Sequence, residues 1–126
     1  TNPNLNIILQ EFIKDSFGWD LRFFTIGGRA VACMERRATD GEFKANFSAG
    51  GEVYEYKLTP EIEWLATEVS RVLGLEIAGV DLLFHGNHFK ICEVNSSPGF
   101  EGLEKCCKVD IPREIYRYLK IRLGAF

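Results

Sequence analysis

Cysteine, proline, histidine and methionine are scarce in this 126-residue chain: four, four, two and one respectively. Cys33, Cys92, Cys106 and Cys107 include no Cys-x-x-Cys pair, and the first two lie within apolar strand patterns. A structural zinc site is therefore not expected, and a reduced cytoplasmic setting fits these thiols best. The adjacent Cys106-Cys107 reads either as a redox pair or as loop thiols of no special role. No apolar run approaches the roughly 20 residues of a membrane span, and no secretory signal is visible in the sequence. Internal repeats and low-complexity tracts are missing as well. Positive charge is not in excess: Lys and Arg number 15 against 18 Asp and Glu, a net charge of −3. That balance gives no support to direct nucleic-acid binding through bulk electrostatics. The only methionine is Met34 and the chain begins Thr-Asn-Pro-Asn, so the expectation is a processed start or a piece of something longer.

What is present describes one globular domain with a single sizeable core, 46% hydrophobic and 26% charged. Residues Leu5 to Ile13 are rich in Ile, Leu and Phe and read as a strand. Leu21 to Ile26 and Arg29 to Arg36 read as two strands around Gly27-Gly28, a strong two-residue hairpin turn. That hairpin sets Arg22 opposite Cys33 and Asp20 opposite Glu35. Ala38 to Gly51 is polar and glycine-containing, a loop over the sheet, and Val53 to Leu58 is a short edge strand. Thr59 caps a helix with Pro60 at its first position and Glu61 and Glu63 at its positive end. Its inward stripe is Ile62, Leu65, Ala66, Val69, Val72 and Leu73, and Gly74 stops it. After a loop from Ser96 to Val109, Asp110 caps a last helix to about Leu123, with Ile111, Ile115 and Leu119 inward. The fold class expected is α+β, with a largely antiparallel sheet and two main helices.

The most informative stretch lies between those helices. Ala78 to Phe84 and Phe89 to Asn95 are β-prone runs around a short loop, a second hairpin. With Gly86-Asn87-His88 as the loop, Phe84 faces Lys90, Leu83 faces Ile91 and Asp81 faces Glu93. Period-two alternation then puts Asp81, Glu93 and Asn95 on one face. Opposed carboxylates about 4.5–5.5 Å apart at Cβ repel each other. An all-oxygen set of Asp, Glu and Asn suits a hard ion, Mg²⁺ or Mn²⁺, that shares its other sites with waters and phosphates. The competing reading is an exposed face of ordinary surface acids, neutralised by Lys90 or an arginine. His85 and His88 sit at the turn, far from the acids, and are read as turn residues.

Other candidates are weaker alone. Lys44 and Asn46 suit phosphate or metal contacts but also an ordinary solvated loop. Ser48-Ala-Gly-Gly51 is glycine-rich but lacks the Walker pattern G-x-x-x-x-G-K-[ST]. Arg36 and Arg37 point to opposite faces of their strand, so one can aim inward at an anion. Glu11 and Phe12 could offer backbone groups to a base, or belong to ordinary strand.

Together, Gln10-Glu-Phe-Ile-Lys14, Asp20-Leu-Arg22, Glu35-Arg-Arg37, Lys44-Ala-Asn46, Ala49-Gly-Gly51, Ala78-Gly-Val-Asp81 and Glu93-Val-Asn-Ser-Ser-Pro-Gly99 resemble the ATP-grasp ligases in order and spacing. Within them the chain is most similar to the RimK-like group, and the similarity runs over nearly its whole length. The resemblance implies an ATP-dependent carboxylate–amine ligase working through an acyl phosphate, one that adds L-glutamate to a protein or peptide C-terminus. It implies that Glu11 and Phe12 lie at the adenine, Asp20 on the sugar side, and Lys44, Ala45 and Asn46 against ATP. Asp81, Glu93 and Asn95 would hold two divalent ions, Mg²⁺ or Mn²⁺, and Arg36 would stabilise the transferring phosphate. The loop Ser96 to Gly99 would border the substrate carboxylate. The family has three lobes and this chain resembles the last, so residues 1–126 are expected to be one domain lacking the N-terminal and middle lobes. Alone it is expected to be inactive, with Phe12, Phe47 and Leu83 partly exposed, and either to self-associate or to have a mobile or rearranged loop Ala38 to Gly51. Two alternatives stand beside this: a stand-alone metal- or nucleotide-binding module without catalysis, and an amino-acid-biosynthesis or glutathione-synthetase-like ligase.

Overall fold

A sheet of five antiparallel strands organises residues 11–38 and 51–124, the part of the chain that the computed structural model describes. The strands are β1 (Trp19–Ile26), β2 (Arg29–Arg37), β3 (Glu52–Glu55), β4 (Ile77–His85) and β5 (His88–Asn95), in the order β3-β2-β1-β4-β5. Helix α1 is Pro60–Leu73, α2 is Glu101–Cys107 and α3 is Ile111–Leu123. The fold is the α+β arrangement expected from the sequence.

The alternation of side chains sends Leu21, Phe23, Cys33, Val80 and Leu82 to one face, where Ile62, Ala66 and Val69 of α1 cover them. Phe24, Ile26, Ala32 and Met34 go to the other face and meet Leu103 of α2 and Ile111 of α3. Both long helices begin as expected. The Thr59 hydroxyl accepts the Ile62 N–H, the Asp110 carboxylate accepts the Arg113 N–H, and each helix has a proline in its first turn. Gly74 ends α1 and Gly124 ends α3, both in the left-handed conformation.

Several expectations need correction. The inward stripe of α1 is shorter than six residues: Leu65 is half-buried, and Val72 and Leu73 are 65% and 53% exposed. In α3 only Ile111 is fully buried, while Leu119 is exposed. Residues 101–107, expected as loop, form α2, and Leu103 is its single buried anchor. β3 stops at Glu55, three residues before the expected end. Glu11 to Ile13 are not strand. They lead into a single 3₁₀ turn, Lys14–Ser16, because Asp15 and Ser16 accept the Gly86 and Phe84 N–H groups and tie this segment to the β4–β5 hairpin. The remainder of the expected strand Leu5 to Ile13 lies outside the described residues, as does most of the loop Ala38 to Gly51.

Both hairpins carry a bulge that the sequence does not announce. The Gly27-Gly28 turn forms with both glycines at positive φ, but the β1–β2 register slips between Phe24 and Thr25. Arg22 therefore pairs with Met34 rather than Cys33, and Asp20 with Arg36 rather than Glu35. In the second hairpin the turn is two residues long, with His85 paired to His88. Phe84 thus meets Phe89 and Leu83 meets Lys90. A bulge between Asp81 and Leu82 then restores the phase, so Asp81 still faces Glu93.

Candidate functional site

Along the face that carries Phe24 and Met34, the apolar core gives way to charge at one end of the sheet. Asp20 and Arg22 precede Phe24 on β1 at two-residue spacing, and Arg36 follows Met34 on β2. Asp81 of β4 pairs with Arg22 on one side and with Glu93 of β5 on the other. Backbone pairing alone thus aligns Arg36, Asp20, Arg22, Asp81 and Glu93 across four strands.

The side chains join into one network. Arg36 donates Nε to Asp20 Oδ1 at 2.8 Å and Nη2 to Asp20 Oδ2 at 2.7 Å. The same Nη2 lies 3.4 Å from Asp81 Oδ2. Arg22 grips Asp81 with Nε at 2.7 Å from Oδ1 and Nη2 at 2.9 Å from Oδ2. Both are two-pronged guanidinium–carboxylate contacts, the strongest geometry available to such pairs. Asp20, Arg36 and Asp81 are buried, whereas the Arg22 side chain keeps 27% exposure. Burial raises the Asp20 carboxyl pKa, opposed by the hydrogen bonds and charge of Arg36. The Arg22 pKa is raised by its hydrogen bonds to Asp81 against the cost of burial, with the charges of Asp20 and Glu93 adding to the effect. Glu93 is exposed and makes no direct ion pair among the described residues.

This arrangement bears on both readings of the acid pair. Asp81 and Glu93 do share a face, with Asn95 two residues further along β5. An arginine does neutralise Asp81, as the competing reading allowed, and it is Arg22; Lys90 instead pairs with Glu11 at 3.1 Å. Two arginines still face three carboxylates, which leaves the cluster short of positive charge on its Glu93 side. The donor set fits a hard divalent ion, which takes one or two carboxylates and completes its shell with water and phosphate oxygens. Asn95 Oδ1 accepts the Ser97 N–H at 2.8 Å, which fixes the amide and leaves its second lone pair available. Among the described residues no group of three or more His, Cys, Asp and Glu side chains is placed to hold a metal ion. The oxygen set here has two acids and an amide.

Of the other predicted residues, Glu11 and Phe12 lie on the segment entering the 3₁₀ turn, away from the arginine network. Glu11 pairs with Lys90, and the Phe12 ring meets Phe17 edge-on at 6.2 Å. Asp20 lies inside the network with both oxygens on Arg36. Lys44, Ala45 and Asn46 fall outside the described residues, as does Phe47. The opposite-face reading of Arg36 and Arg37 is what the structure has: Arg36 is buried at the site, while Arg37 lies over the Trp19 ring and 3.1 Å from Glu35 on the α1 side. The sequence reading missed the Arg22 clamp. Its signal was the Asp20-x-Arg22 spacing, which puts Arg22 on the same face as Asp20, but its partner lies across the β1–β4 pairing, joined by no short turn that would fix the register from sequence. Cys106 and Cys107 close helix α2 rather than sit in a loop, and the Cys107 thiol donates to the Cys33 carbonyl at 3.2 Å.

The model of the RimK-like ATP-grasp domain matches residues 2–119. A probable alpha-L-glutamate ligase of Alkalilimnicola ehrlichii is 43% identical over 93% of this chain, which spans 39% of that protein. Another, of Thioalkalivibrio sulfidiphilus, is 44% identical over 91% of the chain and is spanned to 38%. Among solved structures, the ATP-grasp ligase PsnB complexed with a phosphomimetic variant of its minimal precursor, Mg and ADP superposes with a TM-score of 0.67 at 19% identity. That likeness covers 84% of this chain and 32% of PsnB, and it shows the shared fold. The chain therefore belongs to the RimK-like ATP-grasp domain family.

Proposed function

We propose that this chain forms the metal- and phosphate-facing side of an ATP-dependent carboxylate–amine ligase of the alpha-L-glutamate ligase kind. The observation that carries the reading is the alignment of Asp81 and Glu93 on one sheet face with Arg22 and Arg36 packed against them. Such a face suits a polyphosphate bridged by divalent ions, and it offers no nucleophile of its own. The two glutamate ligase relatives and the Mg and ADP bound to PsnB support the assignment.

The chemistry proceeds in two steps. The γ-phosphoryl of ATP passes to a substrate carboxylate oxygen, giving an acyl phosphate and ADP. An amine then attacks the acyl carbon, phosphate leaves with the C–O bond pair, and the nitrogen loses its proton to give the amide. Phosphoryl transfer of this type relies on positioning and charge neutralisation. Arg36, fixed by Asp20, is the residue assigned to the transferring phosphoryl oxygens. Asp81, Glu93 and Asn95 would hold Mg²⁺ or Mn²⁺, which neutralises charge developing on the phosphates. Glu11, Phe12, Asp20, Lys44, Ala45 and Asn46 are assigned to the nucleotide. The loop Ser96 to Gly99, tied to Asn95, is assigned to the substrate carboxylate. The finer reading is that the acceptor carboxylate is a protein or peptide C-terminus, the amine is L-glutamate, and the reaction takes place in the cytoplasm.

The chain spans about two fifths of the relatives it matches, so half of the nucleotide cleft would come from elsewhere. Alone it is expected to turn over no ATP, because positioning worth about 7–11 kcal/mol needs both walls of a cleft. The test uses the full-length protein containing this chain, with ATP, Mg²⁺, a peptide and L-glutamate. ADP release that requires both peptide and glutamate, with a mass gain on the peptide, is the expected result. Asp81→Asn should abolish it. ADP release independent of any carboxylate acceptor would refute the ligase reading, and sustained turnover by the isolated chain would refute its inactivity.

A further inference from the structure

The two arginines of the site are not equivalent. Arg36 is held from behind: Asp20 takes both of its prongs, it is buried, and it touches Asp81 only at 3.4 Å. Among the described residues Arg22 has no such anchor, and its hydrogen bonds go to Asp81, one to each carboxylate oxygen. Its side chain is 27% exposed against 10% for Arg36 and 10% for Asp81. Its position on β1 places it on the same face as Asp81 and Glu93, and the Glu93 charge acts on it. A divalent ion shared by Asp81 and Glu93 needs at least one of the oxygens that Arg22 now occupies. The guanidinium fork takes one lone pair on each Asp81 oxygen and sets its own positive charge against that carboxylate, so an ion sharing Asp81 is left with the outer lone pairs and meets the repulsion of a cation already in place.

We infer that Arg22 is a resident competitor of the metal: its fork and charge neutralise Asp81 and oppose a divalent ion at the acid pair, which is held at full strength only when Arg22 gives up that carboxylate. The inference rests on the metal reading given above and adds a regulating residue to it. Its consequence is a bare site with weak affinity for divalent ions, set by Arg22 and not by a shortage of ligands. An exposed, singly anchored arginine is suited to that part. A second arginine as deeply held as Arg36 would lock the carboxylate.

The test is Mn²⁺ binding to this chain without nucleotide, followed by the loss of the free-ion electron paramagnetic resonance signal, with circular dichroism confirming the fold of each variant. R22Q should bind Mn²⁺ at least tenfold more tightly than the wild type. R22K, which keeps the charge but loses the fork, should fall between them, and it serves if R22Q does not fold. R37Q removes the same charge from the opposite face and should leave the affinity unchanged. D81N in the R22Q background should return binding to background. Equal or weaker binding by R22Q and R22K would overturn the inference while leaving the metal site standing. A gain in R37Q as large as in R22Q would overturn it too, since net charge alone would then explain the effect. Binding that survives D81N, or no binding by any variant, would remove the metal reading and the inference with it.

Discussion

Gly79 is the residue on which the position of the loop Ser96 to Gly99 depends, and replacing it with alanine gives a sharp test of the packing. Gly79 lies on β4, paired with Phe24 on one side and Asn95 on the other. A Cβ added there would come within 2.7 Å of Pro98 Cβ and 3.6 Å of Pro98 Cγ. Carbon atoms in contact prefer about 3.5–4.0 Å, so one side must give way by about 1 Å. β4 is hydrogen-bonded along both edges at this point, so the loop is the side that yields. The backbone of Gly79 is not among the positive-φ glycines, so the penalty is steric and not conformational. Overpacking of this size costs about 1–3 kcal/mol. Alanine recovers about 0.4–1 kcal/mol by restricting the unfolded chain. The net expectation for Gly79→Ala is a loss of about 1–2 kcal/mol, read as a lower urea midpoint with an unchanged slope. Pro98→Gly removes the clashing atom, so in that background the same alanine should cost nothing, and the cycle should return a coupling of about the size of the loss. A Gly79→Ala penalty under about 0.5 kcal/mol, or one that persists beside Pro98→Gly, would refute the account.

Two further outcomes follow from the shifted groups. The Asp20 pKa is raised in the folded protein above its ordinary 3.8. Its contribution is therefore fully present below about pH 3.8 and is lost as pH rises through the folded value. Asp20→Asn cannot ionise, so its stability relative to wild type should rise from pH 4 to pH 7 in paired denaturant titrations; a fall over that range would contradict the assignment. Burial pushes the Cys107 thiol up to about 12 and the Cys33 thiol higher still, so at pH 8 both should react with a chromogenic disulfide at least about tenfold more slowly than in the denatured chain. Fast modification of either would show it to be accessible and activated.

What the sequence reveals follows the range of the interactions concerned. Thr59, Pro60 and Gly74 delimit α1, and Asp110 and Gly124 delimit α3, because capping is settled within four residues. The facing of Asp81 and Glu93 matches the expectation only because a bulge the sequence does not announce offsets a turn one residue shorter than expected. The Asp20–Arg36 pair was not legible, since one extra residue in β2 shifts every later β1–β2 pair and no glycine marks that bulge, and the Arg22–Asp81 pair was not, since β1 and β4 are joined by no short turn that sets their register. Helix α2 escaped because its capping residue, Phe100, makes no side-chain cap and its buried content is Leu103 alone. Family resemblance assigned Asp20 to a nucleotide sugar. The pairing of its carboxylate with Arg36 is tertiary information that only the folded register supplies.

The bulge between Asp81 and Leu82 has a consequence for how this domain can diverge. It separates the phase of the hairpin tip from the phase of the acid pair. A tip of two residues with the bulge, or of three without it, brings Asp81 opposite Glu93 all the same. Insertions and deletions at residues 85–88 can therefore be absorbed without turning either carboxylate to the wrong face. A lineage is then free to reshape the tip, for example to suit whatever lobe or substrate lies against it, while the charged end of the sheet keeps its address. The prediction for descendants of this fold is length variation concentrated at the tip, compensated by gain or loss of the single bulge residue between Ile91 and Glu93.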